Sequence, residues 1–116
     1  MAAVVRVLVA LEPQMYREVL AFYFRQERPL SEVVLTSPQT LKAEAKGKKP
    51  HLIVANEVPL ELKEMSFWVE VRPNEGLVAT IRADGYSTTI HHDVSLQDLV
   101  AAVDKAEEEL AHDEQA

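Results

Sequence analysis

No cysteine occurs in this chain, so it can form no disulfide, hold no metal through a thiolate and use no thiol nucleophile. Glycine is nearly as scarce. Gly47, Gly76 and Gly85 are the only three, and each has a turn or capping explanation, which leaves no glycine-rich phosphate loop and excludes Rossmann-type nucleotide binding. No apolar run approaches the ~20 residues that cross a bilayer. The N-terminal Met-Ala-Ala-Val-Val-Arg also lacks the basic and long apolar segments of a signal peptide, so the expected location is cytoplasmic and off the membrane. Positive charge is in deficit, with 12 Lys and Arg against 19 Asp and Glu for a net charge of −7. That balance argues against nucleic acid, because phosphate-backbone affinity comes from cations displacing condensed counterions.

What is present is ordinary globular composition, 47% apolar and 27% charged over 116 residues, enough for one hydrophobic core and hardly two. A single domain over residues 1–110 follows. Glu107, Glu108, Glu109, Asp113 and Glu114 crowd the C-terminus, and residues 111–116 are expected to form a disordered acidic tail. Lys42, Lys46, Lys48 and Lys49 make the one basic stretch, which reads as a solvated helix end and loop.

Val4 to Leu11 alternates little and is rich in Val, the pattern of a strand buried on both faces of a parallel sheet. Pro13 suits a first helical turn, and Met15, Val19, Leu20, Tyr23 and Phe24 recur at helical spacing, predicting a helix from Gln14 to Arg28. Glu32 to Thr36 is a second strand. Ser37 as a cap and Pro38 at the first position then predict a helix that Gly47 and Pro50 end, and His51 to Ala55 is a third buried strand. Alternation of this kind implies a parallel sheet. Beyond it lie a short helix at Leu60 to Met65 and a fourth strand at Phe67 to Val71. Leu77 to Ala83 and Tyr86 to Ile90 flank Asp84-Gly85, a favoured two-residue hairpin turn. Ser95 and Asp98 suggest a capping box for a last helix whose apolar stripe is Leu96, Leu99, Val100, Val103, Ala106 and Leu110.

The segment Arg6-Val7-Leu8-Val9-Ala10-Leu11-Glu12-Pro13, followed by Tyr16-Arg17-Glu18-Val19-Leu20, resembles the start of a bacterial response-regulator receiver. Pro50-His51-Leu52-Ile53-Val54-Ala55-Asn56, with Pro59 shortly after, is similar to the third strand of that family and the loop beyond it. The resemblance covers the first half of the chain. It implies a flavodoxin-like, receiver-like three-layer α/β sandwich with parallel order 2-1-3-4, here carrying a C-terminal antiparallel hairpin and a final helix. It also implies that Ala10 and Leu11 stand where the family keeps Mg²⁺-binding acids, and Asn56 where it keeps the phosphoacceptor aspartate. Alanine and leucine offer no oxygen ligand, and an amide is a poor nucleophile. The phosphorylation chemistry is therefore expected to be lost, with no cofactor and no metal in its place.

Four residues, Glu12, Pro13, Asn56 and Glu57, should line the crevice at the carboxyl ends of the first and third strands, where open α/β sheets bind ligands. His91, His92 and Asp93 invite a metal reading, but neighbours on a strand point to opposite faces, and a solvated strand end is the simpler account. No nucleophile-elbow or zincin motif occurs, so no enzymatic activity is expected. Phe22, Tyr23 and Phe24 are consecutive and cannot share one core stripe, which leaves Phe22 as a surface aromatic suited to an interface. Tyr86, Thr88 and Ile90 would offer an edge strand to another chain. With these features, the resemblance implies a phosphorylation-independent receiver-like regulatory or protein-interaction module in bacterial signalling, acting as a homodimer or on another protein. The alternative is a small-molecule-binding domain that uses the crevice.

Overall fold

Strand β1 (Arg6–Ala10) is built from residues that are apolar on both sides, and this dictates what surrounds it. Val7 and Val9 point into one core with Leu20, Ala21 and Phe24, whereas Leu8 and Ala10 point into another with Leu41, Ala45 and Leu62. A strand buried on both faces needs helices on both faces. Those helices are α1 (Gln14–Glu27) and α4 (Leu96–Gln115) on one side, and α2 (Leu41–Lys48) and α3 (Leu60–Lys63) on the other. The computed structural model describes residues 4–63, 67–72, 78–82, 88–91 and 95–115, and of 78–82, 88–91 and 109–115 the backbone alone.

The first four strands are β1, β2 (Glu32–Leu35), β3 (Leu52–Ala55) and β4 (Phe67–Arg72), and they run parallel in the order β2-β1-β3-β4. This is the order of a flavodoxin-like α/β sandwich. β1 pairs with β2 at Val7↔Val33 and with β3 at Val9↔Val54. The backbone of β5 (Val78–Arg82) then lies antiparallel to β4, and that of β6 (Thr88–His91) antiparallel to β5. The expected Asp84-Gly85 turn lies outside the described residues.

Several local expectations shift. The stripe of α1 that meets the core is Leu20, Ala21 and Phe24, with Tyr23 packed beside it. Met15 and Val19, which the spacing assigns to the core, are exposed instead. The sheet face next to α1 is shared with α4, so α1 needs only a narrow strip of contact. Ser37 and Pro38 do not open α2. They form a turn in which the Thr40 N–H donates to the Ser37 carbonyl at 3.1 Å, and Thr40 stands at the N-cap. Gly47 lies inside α2 rather than at its end, and Lys49 takes the left-handed conformation, φ 50°, that ends the helix.

α4 is capped as the sequence suggests. The Ser95 N–H donates to Asp98 Oδ2 at 2.9 Å, and the Asp98 N–H donates to Ser95 Oγ at 3.1 Å, a reciprocal box that satisfies otherwise orphaned donors. The helix runs on to Gln115, so its backbone is helical across residues 111–115, where a disordered tail is expected. Ala, Glu and Gln, which dominate this stretch, are good helix formers.

Arg28, just beyond α1, donates through Nε to Asp104 Oδ1 at 2.6 Å and through Nη2 to Asp104 Oδ2 at 2.7 Å. This bidentate pair ties α1 to α4 and adds geometric specificity to the contact. The hydrogen bond from Arg28 holds the Asp104 carboxyl below its ordinary range, against a desolvation penalty and with added help from the guanidinium charge.

Two measurements test these contacts. A Cβ placed at Gly47 meets nothing within 4 Å, so Gly47→Ala should stabilise the protein by about 0.5–1 kcal/mol through lower unfolded-state entropy. The readout is a higher urea midpoint at unchanged slope. Because the folded pKa of Asp104 lies below its unfolded value, its contribution is complete above about pH 4 and is lost as pH falls through the folded pKa. Asp104→Asn should therefore lower the urea midpoint at pH 7, and the gap to the parent protein should narrow on acidification below about pH 4.

Candidate functional site

The carboxyl end of the sheet is where the first residues of interest gather. β1 runs out through Leu11 into Glu12 and Pro13, and the Glu12-Pro13 peptide is cis. Ala10 and Leu11 are both buried, one in each core. Their side chains carry no oxygen.

Asn56 follows β3 and is half-buried. Its side chain works as a peptide group would. Oδ1 accepts the Glu12 N–H at 2.7 Å, and Nδ2 donates to the Val71 carbonyl at 3.1 Å and to the Glu12 carbonyl at 3.4 Å. One amide thus fastens the loop after β1 and the end of β4 to the end of β3. Such a clamp needs a donor and an acceptor on one side chain, which a carboxylate lacks. Glu12 and Pro13 are exposed on one side of this clamp, and Glu57 is exposed on the other.

Asn56 thus bridges the ends of the first and third strands, where the crevice is expected. The open depression lies one strand further on, between β3 and β4, with a volume of about 440 Å³. Asn56 and Glu57 line it together with Lys63, Glu70 and Arg72, whereas Glu12 and Pro13 do not. The four residues grouped from the sequence are therefore divided between two places.

At the floor of the depression lies Glu70, only 4% exposed. Its Oε2 accepts the Val58 N–H at 2.9 Å and lies 3.2 Å from Lys63 Nζ, while Arg72 Nη2 donates to Oε1 at 3.0 Å. A buried carboxylate needs partners of this kind to offset its desolvation. Lys63 also stands over the Trp68 ring, 4.4 Å from its centroid, a cation–π distance. The indole Nε1 of Trp68 has no hydrogen-bond partner among the described residues.

Sequence reading passed over this network. The available signal was one acid flanked by Val69 and Val71 in an apolar strand, sharing a face with Trp68 and Arg72 by period 2. Lys63 is supplied by α3 and could not be placed by local pattern. On the same side of the sheet, Lys42 and Lys46 reach Glu61 at 2.9 and 3.9 Å and link α2 to α3. The hydrogen bond from Lys42, then the charges of Lys42 and Lys46, hold the Glu61 carboxyl below its ordinary range.

Phe22 is 63% exposed and continues the line of Met15 (62%) and Val19 (51%). At i, i+4 and i+7 these three form one stripe on the side of α1 opposite the buried residues. Thr88 and Ile90 lie in β6, at one edge of the sheet; Tyr86, His92 and Asp93 lie outside the described residues. Among the described residues no three His, Asp or Glu side chains gather as a metal site would require, and no helix is long and apolar enough to cross a membrane. Compared with protein-family models, curated proteins and solved structures, the chain matches none.

Asn56→Asp tests the clamp. The variant cannot donate to the Val71 carbonyl and sets a carboxylate oxygen against two carbonyls, which should cost about 1–3 kcal/mol. A urea midpoint equal to that of the parent would show that the side chain is dispensable.

Proposed function

We propose that this chain is a receiver-like protein-interaction module that works without phosphorylation, its antiparallel hairpin and last helix forming the C-terminal part of the fold. The observation that carries this reading is the use of Asn56. At the position that the resemblance assigns to a phosphoacceptor, the side chain is committed to holding the Glu12 and Val71 backbones together. Its oxygen is occupied by an N–H and its nitrogen is not a nucleophile in that role. Ala10 and Leu11, buried and apolar, leave no carboxylate for Mg²⁺ beside it. The frame of a receiver is kept while its chemistry is replaced by structure.

Interaction is supported by the exposed apolar surface. The Met15, Val19 and Phe22 stripe lies mostly open on the side of α1 away from the core, and contiguous exposed apolar patches mark contact sites. The β6 edge offers unpaired backbone groups as a second seat. A homodimer through one of these surfaces is the simplest assembly.

The second reading, a small-molecule-binding domain, draws support from the depression between β3 and β4. A buried carboxylate flanked by Lys63 and Arg72 offers both signs of charge at the carboxyl end of a sheet.

Incubation with acetyl phosphate and Mg²⁺ should leave the intact mass unchanged, and a stable phosphoryl adduct would overturn the reading of Asn56. Light scattering at ~100 μM, far above a micromolar dissociation constant, should report a dimer. Loss of the dimer in Phe22→Glu would seat it on α1, and loss in Thr88→Lys on the sheet edge. A monomeric mass for the parent would make a different protein the partner.

A further inference from the structure

At the opposite pole from the Asn56 clamp, where the strands begin, a second groove of about 270 Å³ runs between the α1–β2 connection and α4. Its apolar surface comes from Val5, Pro29, Leu30 and Val103, and its charged rim from Glu27 and Glu107. Leu30 is 80% exposed, the most open large apolar side chain among the described residues. We propose that this groove is a docking site for a basic segment of a partner protein that anchors itself by a bulky apolar side chain.

Charge complementarity decides the class of partner. Arg28 is the one cation among the residues lining the groove, and each of its three nitrogens is bound within the wall. Nε and Nη2 are bound to Asp104, and Nη1 donates to the Glu27 carbonyl at 2.7 Å. Its charge is thus matched by Asp104. Nearby, Lys105 is drawn to Glu108. Glu27 and Glu107 act on Arg28 through their charges without a close ion pair among the described residues, and with Asp104 they set three carboxylates against one guanidinium, so the rim carries a surplus of negative charge around an apolar floor. Lysine or arginine flanking an apolar anchor satisfies both parts at once, whereas a phosphate-bearing partner would be repelled. The net charge of −7 would add long-range attraction for a basic chain.

Rigidity favours a site over a chance hollow. The connection that carries Leu30 is held by the Ser31 N–H and Ser31 Oγ, which donate to the Arg28 carbonyl at 3.0 and 2.7 Å. The Glu32 N–H donates to the Val5 carbonyl at 2.8 Å. With both walls fixed, little ordering is left to oppose binding. The proposal stands on this groove alone and is independent of the receiver-like reading.

The test is a titration of the full-length ¹⁵N-labelled chain with a short synthetic peptide of lysine, arginine and leucine, with a leucine-free oligolysine as control. Saturable shifts should centre on residues 27–31, 103 and 107, and the leucine-bearing peptide should bind about tenfold or more tightly than oligolysine. Leu30→Asp and the double variant Glu27→Lys with Glu107→Lys should each weaken binding by about tenfold or more. All three positions are exposed, so circular dichroism should report an unchanged fold. Equal binding of both peptides, shifts centred on the Glu70 cleft or the α1 stripe, or no shift at millimolar peptide would each overturn the proposal. Unchanged phosphodonor inertness in the same preparations keeps its failure distinct from a failure of the proposed function.

Discussion

Burial of β1 and β3 on both faces is the constraint from which the rest of the architecture follows. Neither strand has a polar side to turn to water, so the sheet requires helical cover above and below. Val7, Val9, Leu52 and Val54 demand α1 and α4; Leu8, Ala10, Ile53 and Ala55 demand α2, α3 and Trp68. The order of the four parallel strands sets the first crossover, through α1, on one face and the next two, through α2 and α3, on the other, and it leaves β1 and β3 in the middle.

Both poles of the sheet are closed by polar side chains that substitute for missing backbone contacts. At the carboxyl pole, Asn56 imitates a peptide group between β1 and β4, and Glu70 gathers Lys63, Arg72 and the Val58 N–H. At the amino pole, Arg6 joins the turn after α2 by donating to the Lys48 and Lys49 carbonyls, and its own N–H donates to His51 Nδ1 at 2.9 Å. Arg28 and Asp104 then secure the two helices of one face. Residues of types familiar from active sites are here consumed in holding loops, which is why residue identity alone is a poor guide to chemistry.

The distinction between what could and could not be read from the sequence follows the range of the interactions. Continuous apolar strands, the Ser95 and Asp98 cap and the exposure of Phe22 depend on period and near neighbours, and they were legible. The rhythm of strand and helix gave the parallel sheet, and the 2-1-3-4 order came with the resemblance. Met15 and Val19 were misplaced because helical spacing marks a stripe without saying which stripe meets the sheet; the presence of α4 beside α1 decides that. Lys49 rather than Gly47 ends α2, and the carbonyls of Lys48 and Lys49 at that end are bound by Arg6, 42 and 43 residues away in sequence. The Arg28 and Asp104 pair, separated by 76 residues, left no local mark. The depression beside Glu70 left no local mark either, because its lining comes from β3, α3 and β4 together.

The two cores also differ in when they can be completed. One is assembled from residues between Leu8 and Trp68, whereas the other needs Leu99, Val100, Val103 and Ala106 from the last helix. As the chain leaves the ribosome, the α2 and α3 side can close while Val7, Val9, Val54 and Val69 still lack their second lid. Until α4 arrives, the face that α1 covers only in part leaves apolar surface open, the kind that chaperones hold and that aggregates form upon. Synthesis of α4 is therefore the step that closes the second core of the sheet.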